Sequence, residues 1–320
     1  MPRCPGLPSV PGMPQSALGS SADTAIRTTG LTKRYGPTVA LNGLDLSIGR
    51  GEVYGFLGPN GAGKTTTIRL LLGLHRATAG RAELFGLDAF TQPVAAHRRV
   101  AYVAGEPGLW PSLTPDETFE LMAGLHGGTD VAYRRVLVDR FALDTRKRIR
   151  ALSKGNRQKV ALIAALATRA DLLLLDEPTS GLDPLMEVAF RDSVAEARDR
   201  GQTVFLSSHI LSEVEALCDR VGILRDGRLV DEGTLAELQH LSAQIVEVTF
   251  DSQAPELPSL PGIRATLTGS HSVRFEVVGP IAPLIGALAG MPVASLTSRE
   301  PSLEEIFVHH YRRAGSDVGS

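Results

Sequence analysis

The stretch GPNGAGKTT, Gly58–Thr66, follows the apolar run VYGFL and leads into the run IRLLLGL. It fits the pattern G-x-x-x-x-G-K-[ST], in which glycines let backbone N–H groups turn inward around phosphate oxygens. The helix that follows adds positive potential at its N-terminus. The pattern predicts that Lys64 reaches the β- and γ-phosphates and that the Thr65 hydroxyl ligates Mg²⁺. The predicted nucleotide-phosphate contacts are Gly58, Pro59, Asn60, Gly61, Ala62, Gly63, Lys64, Thr65 and Thr66. The alternative is a glycine-rich turn that only packs between a strand and a helix.

A second stretch, LLLLDEP at 172–178, is an apolar strand that ends in two carboxylates. An apolar strand that runs into the carboxyl edge of a parallel sheet delivers such acids to a ligand crevice. We expect Asp176 to hold Mg²⁺ through its water shell, and Glu177 to orient and deprotonate the attacking water. The alternative is a strand capped by two solvated acids.

The remaining patterning places these motifs in an α/β fold. Strand patterns at 26–29, 44–48 and 52–57 are joined by turns and precede a helix that begins near Lys64. Further on, apolar strands at 172–177, 203–208 and 220–227 alternate with helices that begin near Pro184 and Ile210. This alternation predicts a parallel sheet covered on both faces. Residues of about 112–168 are helical in pattern, with acids in the first turn after Pro115. From about residue 242 the short segments QIVEVTF and SVRFEVV and the final PSLEEIFVHHYRR indicate a small α+β appendix.

A third stretch, ALSKGNRQK at 151–159, precedes an apolar-striped helix. Ser153 is a candidate N-cap, and Gly155 permits a close backbone approach, so this helix start is an anion site in principle. An ordinary capped helix is the alternative for these residues taken alone.

Taken together, the motifs resemble the nucleotide-binding subunits of ABC (ATP-binding cassette) transporters over residues of about 25–235. The family signature Leu-Ser-Gly-Gly-Gln is matched by Leu152-Ser153-Lys154-Gly155-Asn156, with two positions changed. Ser180-Gly181-Leu182-Asp183 resembles the family's dimer-contact loop, and Ser207-Ser208-His209 resembles its γ-phosphate switch. Tyr35 stands where the family stacks adenine on an aromatic ring. For Tyr35 a strand-end aromatic, and for His209 an ordinary helix-start residue, remain the alternatives.

The resemblance implies a P-loop cassette with a RecA-like parallel-sheet core, an antiparallel β subdomain and a helical subdomain. It implies ATP and Mg²⁺ as cofactors, Glu177, His209 and Lys64 as catalytic residues, and a head-to-tail dimer. In that dimer Ser153, Lys154, Gly155 and Asn156 of one copy close on the ATP of the other, while Asp183 lies at the seam. The appendix resembles that of ATPase subunits of drug, antibiotic and polymer exporters, which act on a separate membrane permease. The expected divisions are a disordered tail at 1–24, the cassette at 25–240 and a regulatory or dimerising appendix at 241–320.

One segment departs from the family pattern. In VAYVAGEPGLW, residues 100–110, Gly105 stands where the family has a glutamine that touches Mg²⁺ and the attacking water. The nearest side chain that could substitute is Glu106, a candidate metal contact, although an ionised carboxylate cannot donate a hydrogen bond. We expect Trp110 and the following Pro-Ser-Leu-Thr to face the permease. The alternative is a loop that only packs, with no role for Glu106.

Bulk composition narrows the function classes. The 33 basic and 35 acidic residues give a net charge of −2, which argues against a strongly basic nucleic-acid-binding face. The two cysteines, Cys4 and Cys218, lie far apart and indicate a reducing compartment. No apolar stretch approaches the ~18 residues that span a bilayer, so we expect a cytoplasmic protein held at the membrane by its permease. Competing interpretations are an ABC ATPase acting on ribosomes or nucleic acid, an import-type ATPase, and another P-loop enzyme such as a kinase or GTPase.

Overall fold

The computed structural model describes residues 23–240, 244–255, 260–299, 302 and 305. Its strands are β1 (Thr24–Tyr35), β2 (Thr38–Gly49), β3 (Val53–Leu57), β4 (Ala79–Leu84), β5 (Leu87–Asp88), β6 (Val100–Val103), β7 (Leu172–Asp176), β8 (Thr203–Ser208), β9 (Arg220–Arg225), β10 (Arg228–Thr234), β11 (Gln244–Phe250), β12 (Ile263–Leu267), β13 (Ser272–Val277) and β14 (Val293–Arg299). Its helices are α1 (Lys64–Leu71), α2 (Pro93–His97), α3 (Pro115–His126), α4 (Val131–Arg140), α5 (Lys154–Ala167), α6 (Pro184–Asp199), α7 (Leu211–Leu217), α8 (Leu235–His240) and α9 (Ala282–Leu288). A 3-10 helix spans Ile149–Ala151.

The central sheet has the strand order β10-β9-β3-β8-β7-β6. All neighbouring strands in it are parallel except β10, which pairs antiparallel with β9. Strand β3 lies between β9 and β8, whereas β6 is an edge strand that pairs with β7. The carboxyl ends of β3, β7 and β8 therefore meet at one edge of the sheet.

Both faces of this sheet are buried, as the apolar strands predict. Successive side chains of a strand point to opposite faces, and β7 shows this directly. Leu173 and Leu175 pack into a cluster with α5, α6 and α7, while Leu172 and Leu174 pack into a second cluster with α1 and the antiparallel sheet β2-β1-β4-β5. The expected covered parallel sheet and antiparallel β subdomain are confirmed.

The helical pattern of residues 112–168 resolves into α3, α4, the 3-10 helix and α5. Helix α3 begins at Pro115 with a capping box, because the Thr114 hydroxyl accepts from the Glu117 N–H and the Glu117 carboxylate accepts from the Thr114 N–H. The first strand begins at Thr24, the last residue assigned to the tail. Residues 1–22 of that tail lie outside the described residues.

The appendix contains an antiparallel sheet of order β12-β13-β11-β14. Helix α9 packs on one face of it, where Leu284 and Leu288 meet Val246, Val248 and Phe275. The two strands predicted here are β11 and β13, and the sequence patterns did not predict β12, α9 or β14. Apart from Ser302 and Glu305, the final PSLEEIFVHHYRR segment lies outside the described residues. Over the part of the chain that is described, none of the helices has the length and apolar character needed to cross a membrane.

Candidate functional site

The glycine-rich loop joins the central strand β3 to α1, as predicted. Gly63 has a φ of 115°, in the left-handed region, and a Cβ there would meet the carbonyl oxygen of Ala40 at 2.7 Å. Only glycine fits both demands. Lys64 follows it and is 5% exposed, and its ammonium donates to the carbonyl oxygens of Gly58 at 2.6 Å and Pro59 at 3.2 Å. The loop thus folds around the lysine ammonium.

The acidic end of β7 lies beside this loop. The Thr65 hydroxyl donates to Asp176 Oδ2 at 2.9 Å, and the Ser207 hydroxyl donates to Asp176 Oδ1 at 2.6 Å. Asp176 itself is 4% exposed. A buried carboxylate that accepts two hydroxyl hydrogen bonds is held in one orientation, and its oxygens and the Thr65 hydroxyl are the ligand type that Mg²⁺ prefers. The Asp176 carboxylate and the Thr65 hydroxyl therefore fit the predicted Mg²⁺ site.

Glu177 is the point where three parts of the site converge. Its Oε1 lies 3.5 Å from Lys64 Nζ and 3.3 Å from His209 Nδ1. Its backbone has a φ of 47°, in the left-handed region that side chains other than glycine rarely adopt. The Glu177 N–H donates to the Ser207 carbonyl at 3.0 Å, which anchors the strained residue to β8. The predicted catalytic residues Lys64, Glu177 and His209 are therefore brought together.

Tyr35 ends β1 and is 41% exposed. Its ring meets His75 edge-on at 5.9 Å between centroids, and the Lys33 ammonium lies 4.8 Å from its centroid. The exposed ring is available for stacking, and its role in adenine binding stays a prediction.

The signature and the dimer-contact loop pack against each other within one chain. The Ser153 side chain caps α5 by accepting from the Asn156 N–H, as predicted, and the Asp183 side chain caps α6 in the same way. The Lys154 ammonium donates to the Ser180 hydroxyl at 3.1 Å. A Cβ on Gly155 would overlap the carbonyl oxygen of Gly181.

The departure at Gly105 lies against the acidic strand end. A Cβ at Gly105 would lie 3.2 Å from the Asp176 carbonyl oxygen and 3.7 Å from the Glu177 Cβ, so a glutamine placed here would start beside the acids. Glu106 is exposed, and its role in metal binding stays a prediction. Trp110 is 45% exposed. The segment after Trp110 is hydrogen-bonded to the turn that precedes the signature. The Ile149 N–H donates to the Leu113 carbonyl, and the Arg150 N–H donates to the Pro111 carbonyl.

Two residues near the site were not predicted. Tyr102 on β6 lies on the α1 side of the sheet, where burial, reinforced by the negative charge of Asp176, raises the pKa of its phenol. The phenol is therefore neutral at neutral pH. Gln158 on α5 is fully buried and donates to the carbonyl of Pro178, the residue after Glu177. In the sequence Gln158 stands among the other polar residues of KGNRQK, so its burial had no local signal.

Comparisons with known proteins agree with this geometry. A family model described as "ABC transporter" matches residues 41–180. Daunorubicin resistance ATP-binding protein DrrA3 of Streptomyces coeruleorubidus is 37% identical over 304 residues, 90% of this chain and 96% of that protein. Nod factor export ATP-binding protein I of Cupriavidus pinatubonensis is 34% identical over 92% of this chain and 93% of its own length. A solved ATP-binding subunit of an ABC transporter superposes with a TM-score of 0.64 at 32% identity, covering 68% of this chain and 92% of that one.

Proposed function

Because this chain belongs to the ATP-binding subunits of ABC transporters, a family of ATPases, we propose that it powers export of a drug, antibiotic, lipid or polymer through a separate permease. The observation that carries the ATPase chemistry is the position of the Glu177 carboxylate. It lies within 3.5 Å of Lys64 Nζ and 3.3 Å of His209 Nδ1, beside the Thr65–Asp176 pair. A base, a phosphate-binding cation and metal-ligand oxygens thus share one edge of the sheet.

ATP binding would rearrange the contacts of Lys64. Its ammonium now shares its hydrogen bonds between two backbone carbonyls and lies close to Glu177. The β- and γ-phosphates carry more charge than a carbonyl, so they would take over the ammonium. Glu177 would then lose its cationic neighbour and be free to accept a proton from the attacking water. His209, 48% exposed, would hold the other side of Glu177 and read the γ-phosphate.

Mg²⁺ would be held by Thr65 and Asp176. When bound it neutralises charge on the β- and γ-phosphate oxygens. Ser207 would orient Asp176, since its hydroxyl donates to the carboxylate oxygen that Thr65 leaves unused.

Glu106 is proposed as the coupling residue between this metal and the permease. Glu106→Ala should then weaken permease-stimulated hydrolysis more than nucleotide binding, and equal stimulation in parent and variant would remove Glu106 from that role.

The ATP-binding subunits of ABC transporters dimerise and work with membrane permeases. We propose that this chain pairs head-to-tail with a second copy, so that Ser153–Asn156 of one copy contact the ATP of the other. The α5 N-terminus supports this, because its first turn contains Lys154 and no acidic residue. Acidic residues are usually favoured in the first turn of a helix. Here that turn instead offers positive charge to an anion such as the ATP phosphates of the second copy.

The proposed permease contact is Trp110 with residues 111–114. Hydrogen bonds from Ile149, Arg150 and Arg148 tie this segment to the turn that leads into the signature. A displacement of residues 110–113 by the permease would therefore be transmitted to Ser153 through these hydrogen bonds. Trp110→Ala should lower the hydrolysis that the permease stimulates and leave basal hydrolysis unchanged. Leu125→Ala, which removes a 74% exposed side chain from α3, is the control.

Export is favoured over import and over action on ribosomes or nucleic acid. Two relatives that align over 90% and 92% of the chain are named for drug resistance and for export. The net charge of −2 gives no support to a nucleic-acid partner.

The proposal is tested with Glu177→Gln, which keeps the shape of the side chain and removes the base. Nucleotide binding should persist while turnover falls by ~10²–10⁴. Glu120→Gln, on the exposed side of α3, changes the charge equally and should hydrolyse ATP at the parental rate. Parental turnover in Glu177→Gln would refute the role of Glu177. Stimulation of the parent by ribosomes or DNA, and not by a co-purified permease, would refute export.

A further inference from the structure

One buried amide touches the segment that carries Glu177. Gln158 Nε2 donates to the Pro178 carbonyl oxygen at 3.0 Å, and the side chain has no exposed surface. Its Oε1 is buried and has no hydrogen-bond partner within the described part of the chain. A buried polar atom without a partner costs about 1–3 kcal/mol, so an apolar side chain of the same size would be the cheaper occupant. The amide is therefore explained by the one hydrogen bond that its nitrogen makes.

That hydrogen bond holds a strained segment. Pro178 follows Glu177, whose φ of 47° persists only where the surroundings enforce it. On one side the Glu177 N–H is fixed to the Ser207 carbonyl of β8. On the other side the fixed point is the Pro178 carbonyl, held by Gln158. Glu177 thus lies between two anchors, one on the sheet and one on α5.

A second contact attaches the same loop to the same helix. The Lys154 ammonium donates to the Ser180 hydroxyl at 3.1 Å, and Gly155 lies directly against the Gly181 carbonyl. Residues 154–158 of α5 therefore hold the segment 178–181 at both of its ends.

We propose that Gln158 is a positioning residue that sets the orientation of Glu177 by anchoring Pro178 to the first two turns of α5. The inference rests on the proposed function, in which residues 153–156 contact the ATP of the second copy. A shift of the α5 N-terminus on that ATP is then passed through Gln158 and Pro178 to Glu177 of the same chain. One copy's nucleotide would in this way adjust the other copy's base.

The test replaces the donor without changing the length of the side chain. Gln158→Met removes the hydrogen bond to Pro178. Gln202→Met is the control for loss of a buried amide donor, because Gln202 is also buried and its Nε2 also donates to a backbone carbonyl, that of Ala170, at 2.7 Å. Its Oε1 in addition accepts from Arg200. That site lies at the opposite ends of β7 and β8 from the acids. Steady-state ATP hydrolysis, nucleotide binding and thermal unfolding are measured for the full chain, the two variants and Glu177→Gln.

The proposal predicts that Gln158→Met lowers kcat by ~10-fold or more, since a displacement of 1 Å at a reacting group can cost ~10². KM and the nucleotide Kd should stay within about twofold. Gln202→Met should lose at least as much thermal stability, because it also loses the hydrogen bonds from Arg200, and should keep its kcat. Equal kcat in the two methionine variants would overturn the positioning role, provided that Glu177→Gln is impaired. If Glu177→Gln is not impaired, the proposed function itself fails.

Should Gln158→Met fail to fold, Gln158→Leu, which also removes the donor to Pro178, is measured in the same way. It should lower kcat with KM unchanged. Parental kcat in Gln158→Leu would then overturn the proposal.

Discussion

Replacing Gly155 by alanine tests the close approach of the signature to the dimer-contact loop. A Cβ at this position would lie closer to the Gly181 carbonyl oxygen than real Cβ atoms come to a neighbour. Both partners are backbone, so no side chain can rotate away. To restore an ordinary contact near 3.5 Å, the loop that follows Glu177 must retreat by roughly 1 Å.

The expected change in the free energy of unfolding can be estimated by comparing Gly155→Ala with the same substitution at a second glycine. Gly124 is also helical, in α3, but a Cβ there would meet nothing within 4 Å. Gly124→Ala should stabilise the protein by about 0.5–1 kcal/mol through helix propensity alone. Gly155→Ala gains part of the same term and loses about 1–3 kcal/mol to overpacking. The two variants should therefore differ by about 1–3 kcal/mol in the free energy of unfolding.

Denaturant unfolding and steady-state ATP hydrolysis measure both consequences. Gly155→Ala should unfold at lower denaturant than Gly124→Ala, and its kcat should fall by ~10²-fold if the loop retreats with Glu177. Gly124→Ala should hydrolyse ATP at the parental rate. Equal stabilisation of the two variants together with parental turnover would show that the signature and the loop do not touch.

Three further outcomes follow from other parts of the molecule. Burial raises the pKa of the Cys218 thiol, so the native protein at pH 8 should leave it unalkylated by iodoacetamide, as followed by peptide mass spectrometry, until denaturant is added. The hydrogen bond from Arg140 lowers the pKa of Glu196, whose stabilisation is present above the unfolded value near 4.3 and is lost as pH falls through the lower folded value. Glu196→Gln should therefore cost about 0.5 kcal/mol at pH 7, with the deficit in unfolding free energy shrinking toward pH 3. Tyr35→Ala should weaken ATP and ADP binding equally, by about 1–2 kcal/mol, in calorimetric titrations, while kcat at saturation is unchanged.

Local patterns predicted the phosphate loop because its contacts are local. Lys64 meets the carbonyls of Gly58 and Pro59 only a few residues away. The Thr65–Asp176 contact joins positions 111 apart, yet it too could be predicted. Asp176 ends β7, and Thr65 follows the loop that leaves the carboxyl end of β3. The carboxyl ends of parallel strands meet at one edge of the sheet.

Contacts that depend on how a helix lies across the sheet could not be predicted. Nothing local to Gln158 or Lys154 indicates that α5 meets the loop after β7. Strands β12 and β14, the edge strands of the appendix, could not be predicted either, for a different reason. Their side chains are mostly exposed. An edge strand without a buried face shows no alternation of apolar and polar residues, so its sequence resembles that of a loop.

The strand order of the central sheet supports the loop after β3 and the segment after β6 differently. The phosphate loop leaves β3, which is hydrogen-bonded along both sides, to β9 and β8. The segment that carries Gly105 and Trp110 leaves β6, a four-residue strand with one strand neighbour, β7. A sideways load on β6 therefore strains a single ladder, and that ladder belongs to the strand that ends in Asp176. The proposed nucleotide site thus follows a strand that is held on both sides, and a force on the edge strand β6 would act first on β7, which ends in the proposed metal ligand Asp176.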